Sequence, residues 1–152
     1  MIAKPFDDFI DRTTSRFEPG LLLVGRLLFA SLFLPSGIKK ISGVGAFAQS
    51  LEKGGVPMPT VFAWLGAITE FIAPILIAIG LETRAAALWL FVFTLIATAI
   101  AHRFWEYPEA QRLAQQNNFF KNLAICGGLL ILAARGAGAL SLDAVLRRRD
   151  RA

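Results

Sequence analysis

Cysteine and histidine each occur once in the 152 residues, as Cys126 and His102. One cysteine excludes an intrachain disulfide and any CxxC redox pair. One histidine excludes a bis-His haem or a His-rich metal site built from this chain alone. Charge is also scarce, with Asp, Glu, Lys and Arg at 18% against 55% hydrophobic residues. That is more apolar residue than a soluble core of this length can use, which argues against an ordinary cytosolic enzyme. The chain shows no Ser-His-Asp set, phosphate loop or metal-ligand cluster, so soluble-style hydrolysis has no support and no metal is expected. The net charge of +5 is not spread as a groove-like basic array. Four of the five residues from Arg147 to Arg151 are Arg and directly follow an apolar stretch. That placement suits a surface of anionic lipid better than nucleic acid.

What is abundant points the same way. Thirteen Phe and thirteen Gly suggest greasy helices packed through small residues. A hydrocarbon core needs about 20 mostly apolar residues per helix, and four segments qualify. They run from about Gly20 to Gly37, Thr60 to Leu81, Arg84 to Phe104 and Phe119 to Ala139. The apolar runs are too long for strands and lack period-2 alternation. The expected fold is an all-α integral membrane protein, a four-transmembrane-helix antiparallel bundle with short interfacial helices.

Ahead of the first span, Phe6, Phe9, Ile10 and Phe17 fall on one helical stripe, among acidic residues that do not suit a secretory signal. Residues 1–19 therefore read as an amphipathic interfacial segment, the alternative being a frayed terminus. Residues 20–146 form the membrane domain and residues 147–152 a basic tail. Between the first two spans, Val44, Phe47, Ala48 and Leu51 have i, i+3, i+4, i+7 spacing, with Gly54-Gly55 as a stop. Pro108 stands where a first helical turn would begin ahead of the fourth span. Nine Lys and Arg fall on the termini, the fourth span's end and the 82–84 turn, against six on the two long loops and adjoining span ends. This count orients both termini to the cytoplasm.

Two ionisable residues lie well inside the spans, Arg26 in the first and Glu70 in the second. Such a charge costs at least ~2.5–3.5 kcal/mol and normally faces protein or water with a partner. Counted from the cytoplasmic ends at 1.5 Å per residue, Arg26 lies roughly 9 Å deep and Glu70 roughly 16 Å deep. Whether the two pair directly is left open by that difference. Pro74 removes the helical hydrogen bond to the Glu70 carbonyl, so the second span should kink beside its only acid. Gly66, one turn earlier, allows close approach. These residues predict a polar pocket at mid-membrane, or else a structural ion pair locking the bundle. A second cluster is expected at the outer span ends, from Lys39, Lys40, His102, Arg103, Lys121 and Asn122. Snorkelling accounts for most of the cations there. His102 reads either as a proton carrier or as a hydrogen-bonded packing residue. Cys126, beside Gly127-Gly128, reads as a small packing residue where another helix, or another copy of the chain, can approach.

The ordered set Arg26; Gly37-Ile38-Lys39-Lys40; Glu70; His102; Lys121-Asn122; and Gly136-Ala137-Gly138-Ala139-Leu140-Ser141-Leu142-Asp143 resembles the DoxX family of small bacterial four-helix membrane proteins. The resemblance covers roughly residues 20 to 146. Its most specific parts are the glycine three positions before Lys40, the Glu followed by Ile-Gly-Leu-x-Thr-Arg, and the Gly-x-Gly-x-x-Ser-Leu-Asp ending. It marks Arg26, Gly37, Lys40, Glu70, His102, Lys121, Asn122 and Asp143. Pro74 departs from it, because similar proteins often carry small glycines there. The resemblance implies a bacterial inner-membrane location and an accessory or anchoring role in redox systems. Those linked with the family are quinone-coupled thiosulfate oxidation, a membrane complex with superoxide dismutase and a sulfurtransferase, and catechol or quinone resistance.

Two functional readings follow. In one, the chain is a redox-linked subunit binding a quinone or similar acceptor between its helices. Glu70 and His102 are then the candidate proton-exchanging residues. Arg26, Lys40, Lys121 and Asn122 join them as candidate ligand contacts, and Gly37, Pro74 and Asp143 are structural. No cofactor motif is encoded, so a soluble or membrane partner protein would bring the electrons. In the other, the chain is a non-enzymatic scaffold, assembly factor or small-molecule carrier that contacts membrane lipids and a docked partner. A homodimer through glycine-rich faces fits either reading.

Overall fold

The computed structural model describes residues 4–149, with side chains from residue 7 onward. Phe6 of the expected N-terminal stripe and Arg151 of the basic tail therefore lie outside the described side chains. The chain forms helices α1 (Lys4–Ser42), α2 (Val44–Lys53), α3 (Pro59–Ile79) and α4 (Thr83–Ala101). A short 3-10 turn (Phe104–Glu106), α5 (Glu109–Arg135) and α6 (Leu142–Arg149) follow. No strand occurs among the described residues. Helices α1, α3 and α5, and α4 with its following turn, are long and apolar enough to cross a membrane. That is the four-span bundle expected from hydropathy.

The boundaries differ in two places. α1 is one helix of 39 residues that runs through Pro19 and Pro35. The expected interfacial segment is thus continuous with the first span, and that span ends at Ser42 rather than Gly37. Thr13, Thr14 and Ser15 turn their hydroxyls back onto carbonyls of the preceding turn, so these polar residues leave the helix intact. Lys39 and Lys40 stabilise the last turn through the helix dipole. α5 begins at Glu109, ten residues before the apolar run. The intervening Ala, Gln, Arg and Leu are good helix formers, and hydropathy does not register them. It also stops at Arg135 rather than Ala139. Gly136 and Gly138 take φ of +80° and +75°, backbone that other residues rarely adopt.

Inside the bundle, Phe33, Ala73, Ile77, Ala87, Leu90, Leu129 and Leu132 form the core. Alanines dominate the buried faces and let the helices pack closely. Large apolar side chains such as Leu28, Val61, Ile68, Leu95 and Ile131 are exposed on the outside. Lipid suits such a belt better than water. α2 lays Phe47 and Ala48 against α3 and ends at Gly54, as its spacing predicts. Gly128 is used within the chain, since a Cβ there would lie 2.9 Å from the Phe29 ring, whereas Gly127 faces open space. Only the latter remains available to a second copy.

The tightest helix contact is between α1 and α3. A Cβ at position 37 would sit 2.6 Å from both the carbonyl carbon and the oxygen of Glu70. Buried Pro74 has no N–H to offer that carbonyl. Gly37 therefore packs on the backbone acceptor within α3 that Pro74 leaves without its helical donor. Gly37→Ala forces the two helices apart and should cost about 1–3 kcal/mol, the usual penalty for overpacking. Thermal denaturation in detergent should show a lowered Tm for Gly37→Ala and an unchanged one for Gly25→Ala, where the added methyl meets nothing within 4 Å. Equal effects at both positions would refute the close-approach account.

Candidate functional site

The closeness at Gly37 determines what happens one turn later. Lys40 reaches across to α3 and places Nζ 2.5 Å from Glu70 Oε1. Glu70 is 5% exposed, and the Lys40 side chain retains 27%. The ammonium also sits over the Phe47 ring, 4.8 Å from its centroid, so α2 covers it with a cation–π contact. Glu70 Oε2 is buried with no hydrogen-bond partner among the described residues.

A second polar wall comes from α4 and α5. Asn122 Nδ2 donates to Thr98 Oγ1 at 2.9 Å, and the Thr98 hydroxyl donates to the Thr94 carbonyl at 2.6 Å. His102 Nδ1 lies 2.7 Å from Gln115 Oε1, and Lys121 Nζ donates to Asn118 Oδ1 at 2.9 Å. Trp89 Nε1 donates to Thr69 Oγ1 at 3.2 Å and ties α4 to α3.

Between these walls is a cavity of about 1200 Å³. Lys40, Thr69, Glu70, Thr94, His102, Lys121 and Asn122 line it together with Phe33, Phe47, Phe62, Trp89 and Phe93. The residues expected in two separate clusters thus converge on one site: Glu70 joins Lys40, His102, Lys121 and Asn122. Gln115, Thr69, Thr94 and Thr98 escaped the sequence reading. A signal for them was present, because Thr94, Thr98 and His102 recur every four residues along one helical face, as do Gln115, Asn118 and Asn122 at i, i+3 and i+7.

Arg26 stands apart from this cavity. It is fully buried, and Nη1 donates to the carbonyls of Ile77 and Ala78 at 3.5 and 3.3 Å, while Nη2 donates to that of Leu140. The open question of an Arg26–Glu70 pair is thereby answered: Glu70 pairs with Lys40 instead. The reason is register. Gly37 meets α3 at Glu70, and Arg26 lies eleven residues earlier, roughly 16 Å back along α1 at 1.5 Å per residue. Antiparallel packing brings it to the far end of α3. Neighbouring residues complete that end. Asp143 accepts from the backbone N–H groups of Glu82 and Thr83 at 2.9 and 3.2 Å and caps α4. Arg84 donates to the last carbonyls of α5, at Ala133, Ala134 and Arg135. Cys126 Sγ lies 3.9 Å from the Phe91 carbonyl in the packed interior. No group of three or more His, Cys, Asp or Glu poised for a metal occurs among the described residues.

Comparison with known proteins adds the lineage. A family model described as DoxX matches residues 21–103. The inner membrane protein YphA of Escherichia coli (strain K12) is 35% identical over 126 residues, covering 83% of this chain and 90% of that protein. The inner membrane protein YqjF of the same strain is 35% identical over 131 residues, covering 84% and 93%. The ER-derived vesicles protein ERV29 of Saccharomyces cerevisiae is 32% identical over 81 residues, 53% of this chain and 26% of that protein. No solved structure matches.

The ion pair yields a clear thermodynamic expectation. Breaking a buried pair by removing one partner typically costs about 3–5 kcal/mol, whereas replacing both with apolar residues is often neutral. Lys40→Met should fall near the lower end of that range because Lys40 is partly exposed. The Lys40→Met/Glu70→Leu double variant should recover most of the loss in detergent melts. Additive losses would show that the two side chains do not act as a pair.

Proposed function

The chain is a multi-pass membrane protein of the DoxX family, and from that premise we propose that it binds a quinone-like small molecule between its helices as the membrane subunit of a redox complex. One observation carries the reading: buried Glu70 paired with half-buried Lys40 on the wall of a cavity of about 1200 Å³ that is otherwise mostly apolar and aromatic. Binding sites for small molecules have this character, an apolar enclosure with a few convergent polar groups. The volume exceeds the usual range for a drug-sized molecule, which suits a ring carrying an apolar tail.

The residues fit such a ligand. Lys40 has three N–H donors and gives one to Glu70, so others remain for a ligand oxygen. Phe47 and Phe93 meet beside Gly66, where a Cβ would lie 3.3–3.4 Å from both rings, and they offer flat apolar surfaces. Glu70, ionised beside Lys40, is the acceptor for a proton leaving the head group, and His102, hydrogen-bonded to Gln115, lines the same cavity as a candidate to take it onward. Asn122 and Lys121 provide further polar contacts on the α5 side. A quinone, when bound, supplies a two-electron, two-proton acceptor, and in this reading a partner protein delivers the electrons.

The exposed arginines of α6, Arg147 to Arg149, next to exposed Leu142, Val145 and Leu146, support a second role as an amphipathic surface helix for anionic lipid or a docked partner. With the charge asymmetry of the loops, they favour both termini on the cytoplasmic side of the inner membrane.

Binding is testable with the purified protein in mild detergent, titrated with decylubiquinone while tryptophan emission is followed. Saturable quenching is expected, with Trp89→Phe losing most of the amplitude. Lys40→Met should weaken the apparent Kd at least tenfold, about 1.4 kcal/mol. Quenching that stays linear in quinone for the wild-type protein would sink the reading.

A further inference from the structure

The reading of the cavity as a site for a quinone-like ring leaves its redox form undefined, and the hydrogen-bond inventory around Glu70 speaks to it. We propose that the head group bound at the Lys40–Glu70 pair must itself donate a hydrogen bond. The site then selects a hydroxyl-bearing, reduced ring over the corresponding carbonyl form. The inference rests on the binding reading above and narrows it.

Glu70 Oε1 is taken by Lys40 at 2.5 Å, and Oε2 is buried without a partner among the described residues. An ionised carboxylate only accepts, so Oε2 calls for a donor. No hydroxyl lining the cavity reaches Oε2, those of Ser36 and Thr69 included. Thr94 donates to the Leu90 carbonyl at 2.7 Å, and Thr98 donates to the Thr94 carbonyl at 2.6 Å. Trp89 Nε1 is directed to Thr69. The remaining N–H groups of Lys40 are free to serve a ligand, because its contact with the carboxylate is to Oε1 alone. At the ion pair the cavity thus has the spare N–H groups of Lys40 beside one unserved acceptor, Glu70 Oε2.

A hydroxyl matches both, because it donates to Oε2 and accepts from Lys40 Nζ in the same pose. A ring carbonyl matches only Lys40. It leaves Oε2 bare and brings its own lone pairs towards a carboxylate, in surroundings where an unmade hydrogen bond is expensive. The terminal torsion of Glu70 is broad and soft, so the carboxylate can turn an oxygen to the cavity without moving α3. Sites built to hydrogen-bond a substrate hydroxyl reject analogues lacking it far more strongly than apolar pockets reject a missing methylene. Glu70 is therefore a specificity-determining contact, and the discrimination lies in which partner donates.

The test uses the full chain in detergent and calorimetric titration under anaerobic conditions with duroquinol and duroquinone. These tailless tetramethyl rings have no free position for addition of Cys126 or a lysine. The wild-type protein is expected to bind duroquinol at least tenfold more tightly than duroquinone. The dimethyl ether of duroquinol, which has oxygens but no donor, should bind no more tightly than duroquinone. In Glu70→Gln the amide supplies an N–H, so affinity for duroquinone should rise relative to duroquinol and the ratio should fall to one or below. A merely structural role for Glu70 would move both affinities by the same factor and leave the ratio intact. Equal wild-type affinities, tight binding of the dimethyl ether, or an unchanged ratio in a folded Glu70→Gln variant would each overturn this inference while the cavity remains a binding site. Absence of saturable binding for both rings and for decylubiquinone would overturn the binding reading as well.

Discussion

The contact of Lys40 with Glu70 is the interaction from which the rest of the bundle's interior can be understood. A carboxylate inside an apolar bundle is tolerable only with a counter-charge at hand, and Lys40 can supply one only if α1 lies almost against α3. Gly37 makes that approach, with no side chain between the two backbones. Pro74 contributes from the other side by leaving the Glu70 carbonyl without its helical donor at the point of contact. Phe47 then covers the ammonium, which explains why the loop between the first two spans is a packed helix. Three helices, α1, α2 and α3, are thus tied to one ion pair.

The opposite end of the bundle follows a different logic with the same physics. Helix ends expose carbonyls and N–H groups that lipid cannot satisfy. Here side chains from other helices reach those groups. Arg26 of α1 serves the end of α3 and the 140 carbonyl, Arg84 of α4 serves the end of α5, and Asp143 serves the start of α4. Each of these charged residues joins an element distant in sequence, so their effect is to stitch the bundle across its topology. A buried arginine, which at first sight suggests ligand binding, here spends both terminal nitrogens on backbone carbonyls.

How much of this was legible in the sequence depends on which interaction decides each feature. The four spans, α2 and its glycine stop were readable because burial in hydrocarbon and helical periodicity are local, summed over many residues. The length of α1 and the early start of α5 were not, because hydropathy does not mark polar stretches such as Asp7–Arg16 or Glu109–Asn118 that are nonetheless helical. The candidate residues were found as types, since a charge in an apolar run stands out. Their pairing was not, because it depends on the register between α1 and α3, and that register is set by a single glycine meeting a single carbonyl. The threonines of α4 were overlooked for another reason. Thr is common in helices that carry no function, and only the placement of Asn122 opposite Thr98 turns the repeat into a polar wall.

The division of labour between the two ends also bears on where a ligand can be held. At the Arg26 end most charged groups are engaged with backbone, although Arg26 Nε and Thr83 Oγ1 are buried without partners among the described residues. At the Lys40 end the inventory is unbalanced, with a buried acceptor unserved beside a cation with donors to spare. An unbalanced site costs stability, and a protein tolerates that where binding compensates for it. α1 and α3 thus carry the polar contacts of both ends of the bundle: Arg26 and the Ile77 carbonyl towards one, Lys40 and Glu70 towards the other.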